Sequence, residues 1–269
     1  MAKPLIRDEL WSRIQPLLPP TPPKPYGGRP PVPNRAALRG ILFVLRTGIP
    51  WEYLPQEMGC GSGMTCWRRL RDWQQAGVWD LLHLTLLDEL GQAGQIDWSR
   101  AAIDSASIPA KAGGHKTGKN PTDRGKLGSK HHIIVDRQGV PLAPPQLTGA
   151  NLHDSRQLEP VLDRIVPIKQ ARGRPRKRPR KLHGDKGYDY RRCRRSCRRR
   201  GIKPRIARRG IESSQRLGRY RWVVERTLAW LHRFRRLVIR YERRDDIHQA
   251  LMTLASALIV WNFLSAGFC

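Results

Sequence analysis

The chain has 269 residues, of which 51 are lysine or arginine and 22 are aspartate or glutamate, so its formal net charge is +29 at pH 7. Hydrophobic residues make up 39% of the sequence and nine residues are tryptophan, which is enough for a packed core and excludes a globally disordered chain. A positive charge of this size repels itself unless a polyanion is bound, so we expect a nucleic-acid partner.

Neither end of the chain predicts a membrane segment. The first residues, MAKPLIRDEL, lack the apolar core of a signal peptide. The last apolar run, residues 251–268, is interrupted by polar side chains, and we interpret it as a buried helix. The five cysteines are irregularly spaced, which favours free thiols in a reducing compartment. We therefore expect a cytoplasmic protein that does not bind membranes.

The N-terminal part of the chain predicts an all-α region. A proline-rich stretch, PPTPPKPYGGRPPVPN, forbids helix and predicts an extended linker after the first element. Near residue 95 the sequence changes from helical periodicity to short strand-like runs. This change predicts a boundary between an N-terminal region, residues 1–95, and a second domain, residues 96–269. Apolar side chains at helical spacing predict helices over residues 4–18, 35–47, 64–75 and 78–90.

The third of these helices is a candidate DNA-binding element. It carries Arg68, Arg69 and Arg71, and it follows another helix and a glycine-rich bend. A helix, a turn and an arginine-bearing helix resemble a helix-turn-helix reader, so the three arginines are candidate DNA contacts. The alternative is a small helical bundle whose arginines are solvated.

From residue 101 the pattern changes to short strands. The first, AAIDSAS, carries Asp104, and a polar loop rich in glycine and lysine follows it. The loop is too polar to fold alone, and its place after Asp104 suggests that it contacts phosphate groups; a solvated surface loop is the alternative. The candidate contacts are Lys116, Lys119, Arg124, Lys126 and Lys130. HHIIVD and the run before TGAN predict an antiparallel hairpin.

Three acids stand apart from the basic background. Asp104 and Asp185 each follow a short apolar or β-compatible run, which predicts them at strand ends, and Glu225 lies on a predicted helix over residues 219–238. Capping aspartates and a surface glutamate paired with Arg221 are the alternatives. A set of carboxylates from separate elements is, however, what a site for hard divalent cations requires.

The order Asp, Asp, Glu, with GDKGYD around Asp185 and R-x3-E around Glu225, resembles the DDE transposases of bacterial insertion sequences, and in particular insertion sequence family 5. Further similar motifs are RGILFVLRTGIPWEYLP, CWRRLRDWQQAGVWD, GSKHHIIVD and LTGANLHD, so the likeness runs over nearly the whole chain. The resemblance implies a ribonuclease H-like α/β core with a mixed sheet. It also implies metal ligation by Asp104, Asp185 and Glu225.

The same resemblance implies the cofactor and the partners. Two Mg²⁺ ions would serve DNA cleavage and strand transfer, with Mn²⁺ as a substitute. The partners would be double-stranded DNA, as terminal inverted repeats and target DNA in the nucleoid, and further copies of the chain. Lys186 and Arg221, inside the two acidic motifs, are further candidate DNA contacts. Only 40 residues separate Asp185 from Glu225, so we expect no inserted domain between them.

The chain departs from the family pattern at three places. Gly218 stands where relatives have tyrosine, and His232 stands where they have a lysine seven residues after the glutamate. We expect His232 on the Glu225 face of the helix, within reach of a DNA phosphate. Pro144 and Pro145 fall in an expected strand and predict that it is broken. Two rival functions stay open: a nuclease of the same fold without strand transfer, and an inactive copy that only binds DNA.

Overall fold

The computed structural model describes residues 4–20, 30–211 and 214–265. Residues 21–29 of the predicted linker and Cys269 lie outside these ranges. The four described helices of the N-terminal region are α1 Asp8–Ile14, α2 Asn34–Thr47, α3 Gly63–Gln75 and α4 Val78–Gln92. Their ends follow ordinary capping chemistry: the Ser62 side chain accepts a hydrogen bond from the Thr65 N–H at the start of α3, and Gly48 ends α2 at a φ of 78°.

The second part of the chain forms a six-stranded mixed sheet. The strands are β1 Ala101–Pro109, β2 Gly118–Lys119, β3 Leu127–Asp136, β4 Gln146–Gly149, β5 Lys181–Gly184 and β6 Lys203–Ile206. β3 pairs antiparallel with β1 and with β4, whereas β5 pairs parallel with β1 and with β6. A mixed sheet of this kind fits the ribonuclease H-like core that the resemblance implied.

Helices cover both faces of this sheet. Those of the second part are α5 Leu158–Asp163, α6 Arg191–Arg199, α7 Ser214–His232 and α8 Asp245–Ser265. One face, which we call the α7 face, packs Ala102, Ile133 and Val135 against Val223 and Val224 of α7. The opposite face joins the main core, which also contains α1 to α4, α5, α6 and α8.

The glutamate-bearing helix α7 is shorter at its C-terminal end than expected. It ends at His232, and a 3₁₀ turn, Arg235–Leu237, follows. Leu237 is nevertheless fully buried, so the apolar positions beyond His232 reach the core from a turn and not from a continuous helix. The helical periodicity therefore overestimated the length of the helix, and Val238, at the predicted end, is 41% exposed.

The last helix, α8, is long and apolar enough to cross a membrane by composition. In the structure 83% of its most apolar 18-residue window is buried inside the protein, where the helix packs against α4 and α3. The prediction of a buried core helix is confirmed.

The proline pair does interrupt its strand. Val135 bridges to Pro141, the ladder then stops, and β4 resumes only at Gln146. The carbonyl groups of Pro144 and Pro145 accept hydrogen bonds from Arg164 and Gln249 side chains, at 3.2 and 2.6 Å. Because side chains replace the missing ladder partners, the sheet continues on both sides of the break.

Candidate active site

Asp104 and Asp185 come from neighbouring parallel strands. Ala101 pairs with Leu182 and Ala102 with His183, and continuing this register by two residues sets Asp104 beside Asp185. Asp185 directly follows β5, as expected. The prediction that Asp104 ends its strand is wrong, because antiparallel pairing with β3 extends β1 to Pro109 and leaves Asp104 inside the strand.

The interior position of Asp104 fixes the direction of its side chain. Successive side chains in a strand point to opposite faces, and Ala102 and Ala106, two residues to either side, both pack on the α7 face. Asp104 therefore projects toward α7, the helix that carries Glu225.

Arg221 of α7 lies between the acids. Its Nη2 atom is 2.8 Å from Asp104 Oδ2 and 3.7 Å from Glu225 Oε1. The Arg221 side chain is only 14% exposed, whereas that of Glu225 is 57% exposed. Glu225 is thus one helical turn after Arg221, on the solvent side of the same guanidinium.

The electrostatics tie all three acids to this arginine. Burial raises the pKa of Asp104 and the nearby charge of Asp185 adds to the rise, while the charge and hydrogen bond of Arg221 oppose it. Burial works against the charge of Arg221, but Asp104, Asp185 and Glu225 together hold its pKa above the ordinary value. A single guanidinium therefore compensates a cluster of carboxylates.

Backbone groups orient the two aspartates. The Ser105 N–H donates to Asp104 Oδ1 at 2.8 Å, and the Gly187 N–H donates to Asp185 Oδ1 at 2.9 Å. Three carboxylates offer only oxygen donors, which suits hard divalent ions. Within the described residues no three His, Cys, Asp or Glu side chains form a ready-made metal cage. The donor chemistry fits a divalent ion, while the cation that now faces the carboxylates is Arg221.

Comparison with known families decides what this site belongs to. Residues 97–260, more than half of the chain, match the family described as "Transposase DDE domain". Residues 6–83 match a family described as "Putative transposase of IS4/5 family". The chain belongs to the DDE transposases.

Two proteins of Burkholderia cepacia are similar to this transposase. A "Putative transposase for insertion sequence element IS402" is 58% identical over 149 residues, which are 55% of this chain and 70% of the relative. An "Insertion element IS402 uncharacterized 16.2 kDa protein" is 66% identical over 125 residues, which are 45% of this chain and 84% of the relative. The predicted family and the transposase function are confirmed, and the family implies metal-dependent phosphoryl transfer on DNA.

The three arginines of α3 differ in their surroundings. Arg68 is exposed and Arg69 is half-buried. Arg71 lies 5.6 Å above the ring of Trp67, and its Nη2 is 2.7 Å from Asp72. All three arginines remain predicted DNA contacts.

The basic loop residues separate into two groups. Lys119, Arg124 and Lys126 are exposed and remain predicted DNA contacts, as does Lys186, whose side chain is half-buried near Asp185. The Lys116 Nζ atom is 3.0 Å from Asp245, which ties that part of the loop to the start of α8.

Lys130 is not a loop residue. It lies in β3 opposite Ser107, on the sheet face away from Asp104, because its position in the strand alternates with the residues of the α7 face. Its Nζ atom donates to the Leu152 carbonyl at 2.9 Å and to Asp154 at 3.0 Å. The Lys130 side chain is only 12% exposed. These contacts tie it to the segment after β4, which argues against the predicted phosphate contact.

His232 also departs from its expected place. Its ring lies 5.7 Å from the ring of His131, a fully buried residue, and its Nε2 atom is buried with no hydrogen-bond partner among the described residues. Burial lowers the pKa of His232, so its charged form is disfavoured. Both residues lie in α7, but His232 is half-buried whereas Glu225 is exposed. The phosphate contact of His232 stays a prediction, and the burial of its ring argues against it.

One residue near the acids was overlooked in the sequence. Tyr188 is fully buried, and its hydroxyl has no hydrogen-bond partner among the described residues. Burial, followed by the charges of Asp104, Asp154 and Asp185, raises its pKa well above the ordinary value. The signal was its position inside GDKGYD, three residues after Asp185, but the sequence did not indicate which way the ring points.

Proposed function

We propose that the transposase cuts and joins DNA at the ends of its insertion element, and that Asp104, Asp185 and Glu225 hold the divalent ions for both steps. The observation that carries the proposal is the position of Arg221 against the three acids, with Nη2 2.8 Å from Asp104 and 3.7 Å from Glu225. Carboxylates from separate elements that face the Arg221 guanidinium can also ligate a shared divalent metal ion. Mg²⁺ is the proposed ion, with Mn²⁺ as a substitute, because every ligand is a carboxylate oxygen.

The residues of the site have separable roles. Bound ions would activate water or a DNA 3′-hydroxyl and stabilise the leaving oxygen. Asp104 and Asp185 are oriented beforehand by backbone N–H groups, which reduces the rearrangement needed for ligation. Glu225, the exposed acid, approaches from the solvent side, where the DNA would lie. Arg221, 2.8 Å from Asp104, opposes the rise in the pKa of Asp104 that burial causes.

DNA recognition is assigned to the N-terminal region. We propose that α2, the following turns and α3 read the terminal inverted repeats, with Arg68, Arg69 and Arg71 as contacts. Exposed basic residues of the loop after β1 would contact phosphate groups near the catalytic site. Because joining requires both element ends in one complex, we propose a homo-oligomer assembled on DNA of the bacterial nucleoid.

The first experiment neutralises each acid without changing its size. Asp104→Asn, Asp185→Asn and Glu225→Gln should each abolish cleavage of a DNA carrying both element ends in Mg²⁺, because a neutral amide is a poor ligand for a hard ion. Binding of the same DNA in a gel-shift assay should change by less than about twofold, since affinity comes mainly from phosphate contacts.

Glu9→Gln, which changes an exposed acid of α1 outside the proposed DNA-reading helices, is the control and should cut like the wild type. Wild-type cleavage by one of the three variants would remove that residue from the proposed site. Cleavage by the wild type without joined products would identify a nuclease. DNA binding by the wild type without cleavage in Mg²⁺ or in Mn²⁺ would identify an inactive copy.

A further inference from the structure

A second set of charged residues lies on the α7 face, at the end of the sheet away from the acids. Ala101 pairs with Asp136 on one side and Leu182 on the other, so the residues one step outward, Arg137, Arg100 and Lys181, are neighbours across the sheet. In the next row His183 pairs with Arg205. Strand alternation places these side chains on the same face as Asp104.

These residues surround a cavity of 580 Å³, which we call the basic cleft. None of the described residues that line it is acidic. Its lining includes Arg100, Arg137, Lys181, His183, Arg205 and Tyr220. Asp97, at the margin of the cleft, lies 3.3 Å from Arg137. The other cations of the cleft have no acidic partner among the described lining residues.

The cleft has a polar group whose hydrogen bond the described part of the fold does not supply. The Nε atom of Arg100 is buried and has no hydrogen-bond partner among the described residues, although a buried donor of this kind normally has one. Burial lowers the pKa of Arg100, and the charge of Arg137 lowers it further. An anion in the cleft would relieve both the repulsion and the missing hydrogen bond.

An aromatic wall completes the cleft on the side of α7. The Tyr220 ring centroid lies 4.9 Å from the Arg100 guanidinium and 5.1 Å from the His183 ring. Tyr220 directly precedes Arg221, and its side chain is 40% exposed. A flat ring beside clustered cations can pack against a sugar or base while the cations contact phosphates.

The position of the cleft relative to the acids matches a DNA strand. Arg100 precedes Asp104 by four residues of extended backbone, a distance of about 13 Å. Phosphates of one strand of B-DNA advance about 3.4 Å per base pair along the helix axis, so about four base pairs span the interval when that axis runs parallel to β1. Ser99 also lines a neighbouring cavity that contains Arg172, Arg176 and Arg180, which continues the basic surface outward.

We infer that the basic cleft binds the phosphodiester backbone of the DNA that leaves the catalytic site, about four base pairs from the reacting phosphate. The inference rests on the proposed function for the location of the reacting phosphate. It assigns a binding role to Arg100, Arg137, Lys181 and Arg205, together with the ring of Tyr220. It also gives a function to the basic segment before β5 that contains Arg172, Arg176 and Arg180, as the outer continuation of the same DNA path.

The test measures the salt dependence of binding to a labelled 30-base-pair duplex in EDTA, where no cleavage can occur. The double variant Lys181→Gln/Arg205→Gln removes two exposed cations of the cleft. If each contacts a phosphate, the slope of log affinity against log salt should become shallower by about 2, and affinity near physiological salt should fall roughly tenfold.

The matched control is Arg195→Gln/Arg198→Gln, which removes two exposed arginines of α6. Cys193 and Cys197 pack that helix into the main core, on the opposite face of the sheet. The control should leave the slope within experimental error. Equal changes in both pairs, or an unchanged slope in the cleft pair, would overturn the inference, and a cleft that serves an acidic protein would give the second result.

Two further variants separate the loss of charge from the loss of the side chain and from misfolding. Lys181→Arg/Arg205→Lys keeps both charges and should keep the wild-type slope. Arg137→Gln, at another exposed position, should reduce the slope by about 1 if the double variant fails to fold. Because these assays contain no divalent ion, their outcome is independent of cleavage: failure of the proposed function would appear in the Mg²⁺ reactions of the acid variants instead.

Discussion

At the scale of single residues, Arg221 is the centre of the site. Sequence spacing suggested two roles for it, a helix pair with Glu225 and a DNA contact. In the structure it lies closer to Asp104, at 2.8 Å, than to Glu225, at 3.7 Å. The contact joins residues 117 positions apart, so it fastens α7 to β1 at the proposed catalytic carboxylates.

Replacing Arg221 should therefore destabilise the fold as well as the site. Arg221→Gln leaves the largely buried Asp104 without its cation, and the free energy of unfolding should fall by about 2 to 4 kcal/mol. Adding Asp104→Asn should recover part of this loss, because neither partner is then charged. Urea denaturation of the two single variants and the double variant measures the coupling.

Arg233→Gln, an exposed position just beyond α7, is the control for the loss of one positive charge. If the double variant loses the sum of the two single losses, Arg221 and Asp104 do not stabilise each other. That result would mean that the 2.8 Å contact between Arg221 and Asp104 does not contribute to the free energy of unfolding.

At the scale of elements, close backbone contacts decide where α3 can lie. Gly63 begins α3, and a Cβ atom there would fall 1.7 Å from the Trp51 carbonyl oxygen. The obstacle is backbone and cannot rotate away. Glycine at this position is therefore what lets α3, with its candidate DNA-contacting arginines, pack against the turn Trp51–Tyr53.

Gly63→Ala should consequently lower stability by more than a typical substitution, by about 3 kcal/mol or more. The matched control is Gly218→Ala in α7, where a Cβ would meet no described atom within 4 Å. That change should raise stability by about 0.5 to 1 kcal/mol, because alanine is the better helix former. Thermal unfolding of the two variants would contradict the packing argument if both shifted in the same direction.

The strands show the other influence of elements on the site. The parallel register of β1 and β5 puts Asp104 next to Asp185, and the same register puts Arg100 next to Lys181. A slip of one residue would exchange the faces of the sheet and remove both sets from the α7 face. The proposed catalytic carboxylates and the basic cleft therefore depend on the same strand pairing.

At the scale of the whole molecule, α8 joins the N-terminal helices to the sheet. His83 of α4 is buried against it and shares a 3.1 Å hydrogen bond with Ser256. Burial lowers the pKa of His83 to about 3, and the charge of Arg164 lowers it further. The neutral ring is thus part of the contact between the two halves of the main core.

This depressed pKa predicts acid sensitivity. The unfolded chain binds a proton at His83 below about pH 6.5, whereas the folded chain does not until about pH 3, so stability falls as pH decreases through that interval. At pH 5 this one residue should reduce the free energy of unfolding by about 2 kcal/mol relative to pH 8. His83→Gln, which cannot titrate, should lose less stability over the same range.

His115→Gln, at an exposed histidine of the loop after β1, is the control and should follow the wild type. Urea unfolding at pH 5 and pH 8 provides the comparison. Identical pH dependence in wild type and His83→Gln would mean that His83 does not couple protonation to folding.

The sequence alone determined the family and the broad architecture, and it singled out the three acids of the proposed site. Motifs such as GDKGYD are formed by consecutive residues, and helical or strand periodicity indicates which side chains are buried. Both can therefore be inferred from the sequence. The proline pair was correctly predicted to break its strand, because proline lacks the N–H that a ladder requires. The apolar C-terminal run was correctly placed in a buried helix for the same kind of local reason.

Only the tertiary structure decided the direction of the side chains at the site. Asp104 proved to be inside its strand, Lys130 turned to the far face and His232 turned inward, because strand extension and helix termination depend on partners far away in sequence. The basic cleft was hidden for the same reason: Arg100, Arg137, Lys181 and Arg205 come from separate elements. Long-range register, which no local pattern encodes, brings their charges together on the same sheet face as the proposed catalytic acids.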